Sequence, residues 1–286
     1  MSSGSKKDSC VILYSGGTDS TCVAALMAKE FSCVHLLTFY QGCKKNVPGI
    51  SGNINALKNK FAHNIFLHKT IQTTKLVKFI SYDNYFKYLF RFKLLILSTC
   101  GFTTLSWHIR AIVYCLENNI ATVADGLTRE LMHFPGHMDE VIEVFKKFYG
   151  GFGIQYLNPV RDWAVPPDKQ FIDRLIIDQH GYLFPGEESM SSKERTTGRY
   201  LYELGILPNP NVKGSSMDQK MQYDCYPFVL YNIMAFWIYL SFRSYENFCM
   251  KMKYLFQDKV ADALILIEEY VANGQRSRLN KLLEDK

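Results

Sequence analysis

The chain has 286 residues, is 48% hydrophobic and 14% aromatic, and carries a formal net charge of +6 at pH 7. This length and composition suffice for one large core, or a core and a smaller appendage, and they indicate a globular, soluble protein. The longest apolar stretch, residues 228–240, is too short to span a bilayer, and the polar residues 1–7 lack the apolar part of a signal sequence. We therefore expect a cytoplasmic protein with no membrane partner.

The eight cysteines are scattered along the chain and form no Cys-x-x-Cys pair. In a cytosolic protein this argues against both a disulfide framework and a zinc ribbon. His133 and His137 are four residues apart, but Pro135 and Gly136 between them interrupt the helix on which that spacing would make a metal pair. We predict that the chain has no zinc site.

Apolar and helical segments alternate through the first part of the chain. Alternation at these lengths predicts parallel strands joined by right-handed crossovers, an α/β fold whose ligands lie at the carboxyl ends of the strands. The predicted elements, in chain order, are strand 10–15, helix 19–31, strand 33–39, helix 54–62, strand 64–68, helix 72–97, helix 104–118, strand 120–124, helix 137–148 and strand 154–157.

The second part of the chain has a different pattern, with helical segments and loops rich in proline and glycine. Helices are predicted near residues 226–243, 245–256, 258–272 and 275–284. We therefore predict an α/β domain over residues 8–165 and a mostly helical C-terminal region over residues 166–286 that packs on it.

The first predicted strand runs directly into Ser15-Gly16-Gly17-Thr18-Asp19-Ser20, and a helix follows. Two consecutive glycines let the backbone approach an anion closely, and the start of the helix presents free N–H groups and the positive end of its dipole. Ser15 and Ser20 add hydroxyl donors. Neither the lysine of the Walker loop nor the third glycine of the dinucleotide fold follows.

This Ser-Gly-Gly-x-Asp-Ser motif resembles that of the PP-loop ATP pyrophosphatases, a family of adenine nucleotide alpha-hydrolase-like fold, and all six positions match. The resemblance covers about residues 8–165. It implies a parallel five-stranded sheet with flanking helices, a loop that grips the pyrophosphate of ATP, and Mg²⁺ as a second cofactor. In the family, AMP is attached to a carbonyl or carboxylate oxygen, pyrophosphate leaves, and a sulfur or nitrogen nucleophile then displaces AMP.

Further candidate residues follow the other strands. Phe39 and Tyr40 end the second strand, where the family contacts adenine, although both are equally well explained as core aromatics. Asp125 follows the fourth strand, where a carboxylate beside Gly126 suits Mg²⁺, together with Asp19, or a hydroxyl of the nucleotide. The segment resembles the family's Asp-Gly-x-Asn/Thr, which implies Gly126 and Thr128 as nucleotide contacts, and a helix-capping aspartate is the plain alternative. The cationic candidates for binding phosphate or substrate are Arg129, Arg161 and Lys193.

Cys100 lies just before a predicted helix, where the positive helix end favours a thiolate. Its surroundings resemble the place where sulfur-inserting members of the family carry Cys-x-x-Cys-Lys, but here Thr103 and Thr104 replace the rest of that motif. This departure removes a cluster or zinc site and leaves Cys100 as a single nucleophile or persulfide carrier. We predict that Cys115, in the middle of a helix, is structural.

Lysines and arginines alternate with aromatic residues over residues 58–93. Such a segment can track a nucleic-acid backbone and stack its bases. The aromatic residues also recur densely enough to form a buried helical stripe with lysine stems lying over it, and we favour that interpretation.

The sequence therefore predicts an ATP-dependent sulfurtransferase that adenylates a carbonyl oxygen and replaces it with sulfur through Cys100. The favoured acceptor is a small nucleobase-like molecule, as in the formation of 6-thioguanine-type thioamides, with a separate sulfur donor. Three alternatives stay open: tRNA base thiolation, amide or nitrile formation like that of 7-cyano-7-deazaguanine synthase, and an adenine-nucleotide sensor. The sequence leaves homo-oligomer formation open.

Overall fold

The computed structural model describes residues 7–41, 49–129, 132–164, 195–212 and 238–283. Its centre is a five-stranded sheet in the order β3-β2-β1-β4-β5, and every pair of neighbouring strands is parallel. The predicted α/β class, with helices flanking a parallel five-stranded sheet, is confirmed. The strands are β1 (Lys7–Leu13), β2 (Phe31–Tyr40), β3 (Ile65–Gln72), β4 (Thr122–Asp125) and β5 (Gln155–Leu157).

Helices cover both faces of this sheet. Successive side chains of a strand point to opposite faces, so Val11 of β1 packs in one core and Cys10 and Ile12 pack in the other. The helices are α1 (Thr18–Glu30), α2 (Ile50–Lys60), α3 (Thr74–Tyr82), α4 (Tyr85–Phe92), α5 (Thr99–Asn118), α6 (Asp139–Gly150), α7 (Thr197–Glu203), α8 (Tyr245–Asn273) and α9 (Arg278–Leu282).

The helices form two hydrophobic cores, one on each face of the sheet. Side chains of α1, α2 and α7 meet on the face that Ile12 lines, whereas those of α3, α4, α5, α6 and α8 meet on the face that Val11 lines. The long helix α8 is therefore part of the main core, where Phe256 contacts Phe102 of α5 and Phe145 of α6. The C-terminal region is joined to the α/β region through both faces of the sheet.

Three predicted helix boundaries are wrong. The single helix predicted over 72–97 is divided into α3, α4 and a 3-10 turn at Lys93–Leu97, because Asn84 and Lys93 adopt positive φ angles of 54°. Helix α5 begins at Thr99 rather than 104, and the helices predicted at 245–256 and 258–272 are one continuous helix. Most of the helix predicted at 226–243 lies outside the described residues.

Within the described ranges, no single helix is both long enough and apolar enough to cross a membrane. One bent pair, Tyr85–Leu97 with Thr99–Asn118 at an angle of 105°, passes that test by length and composition.

Candidate nucleotide site

The predicted phosphate loop lies at the carboxyl end of β1 and leads into α1. Gly16 has φ +84°, in the left-handed region, and a Cβ atom there would overlap the side chain of Ile50 on α2. Glycine is therefore required at this position for both conformation and space. The two glycines that the sequence motif singled out are a turn that brings the backbone of the loop close to α2.

Hydroxyl and amide groups hold this loop in shape. The Oγ atoms of Ser15 and Ser20 lie 3.0 Å apart, and Ser15 Oγ accepts a hydrogen bond of 3.3 Å from the Gly17 amide. Asn53 of α2, which the sequence did not single out, donates its side-chain N–H to the Gly16 carbonyl at 2.8 Å. The loop is thus fixed by its own serines and by α2 without a ligand.

The N-terminus of α1 lies directly behind the loop. Its N-cap residue, Gly17, makes no side-chain capping hydrogen bond, and the first intrahelical bond runs from the Thr21 amide to the Gly17 carbonyl at 3.0 Å. The amides of the first turn of a helix have no acceptor within the helix, and together with the dipole they favour an anion. The geometry of this loop and helix fits a phosphate group.

The loop also lies at the topological switch point of the sheet. From β1 the chain proceeds to β2 and β3 on one side, and β4 and β5 lie on the other side. Parallel α/β sheets bind their ligands in the crevice that forms at such a point. Gly126, directly after β4, reaches the start of α1 so closely that a Cβ atom there would be 2.6 Å from the Ser20 nitrogen. The predicted residues Ser15–Ser20 and Gly126 are therefore brought together.

Asp125 is placed differently from what its predicted magnesium role requires. Its carboxylate is buried and accepts hydrogen bonds from the Tyr156 hydroxyl, from Asn158 Nδ2 at 2.8 Å and from the Leu127 amide at 3.2 Å. Burial raises its pKa from 3.8 to about 6, although these three donors oppose the shift. Three donors on one inaccessible carboxylate leave it a poor ligand for Mg²⁺, so we assign Asp125 to anchoring β4 and β5.

Among the described residues, no group of three or more histidine, cysteine, aspartate and glutamate side chains is arranged to hold a metal ion. His133 is buried, and burial lowers the pKa values of His133 and His137 to about 3 and about 4. Pro135 and Gly136 begin a 3-10 turn between them, as expected from the interrupted spacing. A magnesium contribution from Asp19 stays a prediction.

Arg161 makes internal contacts instead of facing an anion. It is buried and donates to the carbonyls of Thr128 and His137 and, at 2.8 Å and 3.1 Å, to the carboxylate of Asp139. With these four bonds, which use four of its five N–H donors, the guanidinium holds the chain between β4 and α6 and is directed at protein groups rather than at the predicted phosphate or substrate carboxylate.

Arg129 forms ion pairs of 2.9 Å with Asp139 and 2.8 Å with Asp162. These pairs raise its pKa, and they bind its guanidinium to protein carboxylates. Lys193, the third predicted cation, lies outside the described residues.

Phe39 and Tyr40, the last two residues of β2, differ in burial. Phe39 is buried and stacks on Trp107, with ring centroids 6.1 Å apart, so it is a core residue and does not present a face to adenine. Tyr40 is half-buried and donates to the side chain of Gln72 at 3.1 Å. Thr128 is buried as well, and its carbonyl is one of the acceptors of Arg161. Of these residues only Tyr40 keeps access to the crevice.

Cys100 lies in the first turn of α5 rather than in a loop before it, and it is partly exposed. The start of α5 meets the carboxyl edge of the sheet: Gln41, after β2, donates to the Thr103 hydroxyl at 2.9 Å. Cys115 is buried in the middle of α5, and burial raises its pKa to about 12. Burial agrees with a structural role for Cys115, and the role of Cys100 stays a prediction.

Residues far along the chain complete the rim of the loop. The Thr197 hydroxyl donates to the Asp19 carboxylate at 2.6 Å, a contact between residues 178 apart in sequence. Helix α7, which begins at Thr197, packs on α1, and a Cβ atom on its Gly198 would be 2.5 Å from the Pro210 carbonyl and 3.8 Å from the Thr18 side chain. The sequence pattern gave no signal that Thr197 meets Asp19, because the two residues are 178 positions apart.

Arg195 is a second C-terminal side chain near the loop. Its guanidinium lies between two rings, 4.4 Å from the centroid of Trp163 and 4.7 Å from that of Tyr200, and no carboxylate of the described residues pairs with it. The pKa of Cys22 on α1 is raised, chiefly by burial and further by Asp19, and Arg195 opposes that shift. Asp19 and Arg195 therefore both act on the same part of α1.

A cavity of about 270 Å³ lies at the opposite end of the sheet. It is lined by residues that precede β4 and β5, among them Ile120, Ala121 and Ile154. Because parallel sheets bind ligands at the carboxyl ends of their strands, we locate the functional site at the loop and not in this cavity.

No family model matches the sequence, and no curated protein matches it. Among solved structures, one similar chain is a predicted subunit of a tRNA methyltransferase from Methanocaldococcus jannaschii, with 17% identity, a TM-score of 0.33 and coverage of 66% of this chain and 96% of that one. Another is the U34-tRNA thiolase NcsA from Methanococcus maripaludis with its [4Fe-4S] cluster, with 11% identity, a TM-score of 0.34 and coverage of 92% of this chain and 74% of that one. Likeness of this degree assigns neither a family nor a function to the chain.

Proposed function

We propose that the protein is an adenylating enzyme of the PP-loop ATP pyrophosphatase type, which uses ATP to activate a carbonyl oxygen. The observation that carries this proposal is the loop Ser15–Ser20: it joins β1 to α1 at the switch point of a parallel sheet, and both Gly16 and Gly126 are sterically required there. Loop, helix start and close backbone approach together form a cradle for a chain of phosphates.

Bound ATP would supply the AMP group that activates the oxygen and the pyrophosphate that leaves. The part of this chain is to hold the phosphates with the first-turn amides of α1 and the hydroxyls of Ser15 and Ser20. Donors that are fixed before the reaction stabilise developing charge without the cost of reorganisation. Asn53 fixes the loop from one side and Thr197 orients Asp19 from the other. Arg195 is the exposed cation that would neutralise phosphate charge at the rim.

The nucleophile that we propose is the outer sulfur of a persulfide on Cys100. A separate persulfide donor transfers that sulfur to the Cys100 thiolate and leaves as its own thiolate. The outer sulfur then displaces AMP from the activated carbon, and a thiol reductant cleaves the resulting S–S bond to release the thiolated product and restore the Cys100 thiol. The partly exposed thiol in the first turn of α5 is at the positive end of a 20-residue helix. That position favours the thiolate and suits a covalent sulfur carrier. The acceptor would be an amide-type carbonyl of a nucleobase, either free or within RNA.

The test is a measurement of pyrophosphate release from ATP by the purified full chain, with free purines or unmodified tRNA as acceptor and a persulfide donor together with a thiol reductant. We expect acceptor-dependent release that is lost in Ser15→Ala/Ser20→Ala. Ser51→Ala, an exposed serine on the neighbouring helix α2, is the matched control and should leave release unchanged. Binding of ATP without release for every acceptor would contradict the proposal and favour a nucleotide sensor.

A further inference from the structure

A row of large apolar side chains stands out from the surface of α3 and α4. Tyr82, Phe86 and Phe90 are exposed to 70%, 71% and 75%, and Leu94 in the following turn is exposed to 47%. Phe86 and Phe90 are four residues apart on α4 and therefore lie on one side of it. The ring of Tyr85 connects them to Tyr82 across the break between α3 and α4, with centroid distances of 5.9 Å to Phe86 and 6.4 Å to Tyr82. We call these four residues the aromatic ridge.

The ridge corrects part of the sequence interpretation of residues 58–93. Tyr88 and Phe92 are buried as the predicted stripe requires, and Tyr88 donates to Asp262 of α8 at 2.5 Å. The residues two positions earlier, Phe86 and Phe90, point away from that core. Packing therefore explains one side of α4 and leaves Phe86 and Phe90 exposed on the other. A contiguous exposed apolar surface of this kind marks a binding surface.

The exposed charged side chains on the elements that carry the ridge are positive. The exposed ionisable side chains of α3, α4 and the 3-10 turn are cationic, and Asp83 is half-buried. Arg91 is partly neutralised by an ion pair of 2.5 Å with Asp258. The exposed cations are Lys75, Lys78, Lys87, Arg91 and Lys93. A partner that fits this surface carries regularly spaced negative charge and flat apolar groups.

We propose that the aromatic ridge binds a single-stranded segment of RNA and that the carbonyl acceptor is therefore a base within RNA. Bases stack on exposed aromatic rings while flanking lysines follow the phosphates. Side chains four residues apart on a helix are separated by about 6 Å along its axis, close to two base steps of about 3.4 Å each. Three of the four ridge residues are aromatic, which favours stacked bases over lipid chains.

This inference rests on the proposed function for the reacting base, but its binding test is independent of ATP. The experiment measures fluorescence anisotropy of a labelled oligo(U) strand of about ten to sixteen nucleotides, and of unmodified tRNA, with the full chain at two salt concentrations. We expect binding that weakens steeply with salt and that Phe86→Ala/Phe90→Ala weakens by about tenfold or more per ring.

Phe242→Ala is the matched control, because Phe242 is a phenylalanine exposed to 79% that lies beside the exposed Arg243. It should bind RNA as the unaltered chain does, and thermal unfolding should show that all variants are folded. Equal affinity of the double variant and the unaltered chain would overturn the inference, as would an equal loss in Phe242→Ala.

The same double variant tests two other partners, an anionic membrane surface and a second copy of this chain. Ridge-dependent binding to anionic phospholipid vesicles without RNA binding would overturn the inference in favour of a membrane surface. A dimer in solution that the double variant abolishes, without RNA binding, would overturn it in favour of a second copy.

These experiments distinguish failure of the proposed ATP-dependent function from failure of the proposed RNA binding. Ser15→Ala/Ser20→Ala should lose ATP binding and keep RNA affinity, whereas Phe86→Ala/Phe90→Ala should do the reverse. If the unaltered chain binds RNA through the ridge but does not bind ATP, the proposed function is wrong and the ridge assignment stands. If it binds ATP and not RNA, the ridge assignment is wrong and the proposed function stands with a small-molecule acceptor.

Discussion

At the scale of single residues, the candidate site depends on two glycines at which a side chain would not fit. Gly16 needs a positive φ and lies against Ile50, and Gly126 lies against the backbone of Asp19 and Ser20. Backbone atoms cannot move aside as the end of a flexible side chain can. Gly126 is therefore the more sensitive of the two to substitution.

We predict that Gly126→Ala lowers ATP affinity more than tenfold and lowers the free energy of unfolding by about 1–3 kcal/mol, the usual cost of overpacking. Calorimetric titration and denaturant unfolding measure the two effects. Gly52→Ala is the control: nothing lies within 4 Å of a Cβ atom there, on α2, so it should raise stability by about 0.5–1 kcal/mol. Unchanged ATP affinity in Gly126→Ala would show that this close approach does not shape the site.

Cys100 and Cys115 give a second prediction at this scale. Cys100→Ser should keep acceptor-dependent pyrophosphate release and reduce sulfur incorporation to background, because the serine hydroxyl cannot carry sulfur. Cys115→Ala should keep both activities, since burial raises the pKa of that thiol to about 12 and holds it protonated. Mass spectrometry of the product measures sulfur incorporation. Full incorporation by Cys100→Ser would contradict sulfur transfer through this residue.

The sequence predicts features formed by neighbouring residues better than contacts between residues far apart in the chain. The loop Ser15–Ser20 and its strand and helix are local, so their pattern was readable in consecutive residues. The partners of Arg161 and of Asp19 were not, because the Thr197–Asp19 bond joins residues 178 apart and the Arg161–Asp139 pair joins residues 22 apart. Asp125 was correctly placed at a strand end, but only the structure showed the Tyr156 and Asn158 donors that occupy it.

At the scale of elements, helix α7 and helix α1 act as a pair. A Cβ atom added to Gly198 of α7 would lie 2.5 Å from the Pro210 carbonyl oxygen. The segment that follows α7 therefore packs tightly against Gly198. We predict that Gly198→Ala displaces α7 from α1, breaks the Thr197–Asp19 bond, and raises the KM for ATP several-fold.

The control for this prediction is Gly205→Ala. Gly205 has φ +76° and open space around it, so alanine there costs backbone strain without a clash. Steady-state kinetics and thermal unfolding of both variants separate the two causes. If Gly205→Ala raises the KM as much as Gly198→Ala, the effect is general destabilisation rather than displacement of α7.

The division between α3 and α4 is also decided at this scale. Residues 72–97 have the composition of one helix, yet Asn84 and Lys93 turn the chain through positive φ. The break lets Tyr88 and Phe92 reach α8, where Lys259 lies 3.9 Å from the Tyr88 ring and donates to the Ile80 carbonyl. Tertiary packing outweighed helix propensity here, which local sequence does not reveal.

At the scale of the whole molecule, buried histidines set the response to acid. Burial lowers the pKa values of His108, His133 and His137 from 6.5 to about 3, about 3 and about 4. Between pH 6.5 and 4 the unfolded chain binds these protons and the native chain does not, so stability falls as the pH falls. Asp125 opposes this between pH 3.8 and 6, where the native carboxyl holds a proton that the unfolded chain has released.

These four groups together differ by about two protons between the two states near pH 5, which corresponds to about 3 kcal/mol of unfolding free energy per pH unit. We predict that His108→Gln reduces this slope by about one proton, measured by denaturant unfolding across pH 4.5–6.5. His63→Gln, at an exposed site, is the control and should keep the slope of the unaltered chain. An unchanged slope in His108→Gln would show that His108 is protonated in the native state.

The hydrogen bond between Thr197 and Asp19 joins residues that are synthesised far apart in time. Ribosomes synthesise the loop residues first, and 178 residues separate Asp19 from its partner. A nascent chain that has emerged from the ribosome up to residue 165 contains every residue of the loop motif. It contains neither Arg195 nor Thr197. The candidate site is thus completed late in translation, because a product truncated at residue 165 lacks the Thr197–Asp19 contact.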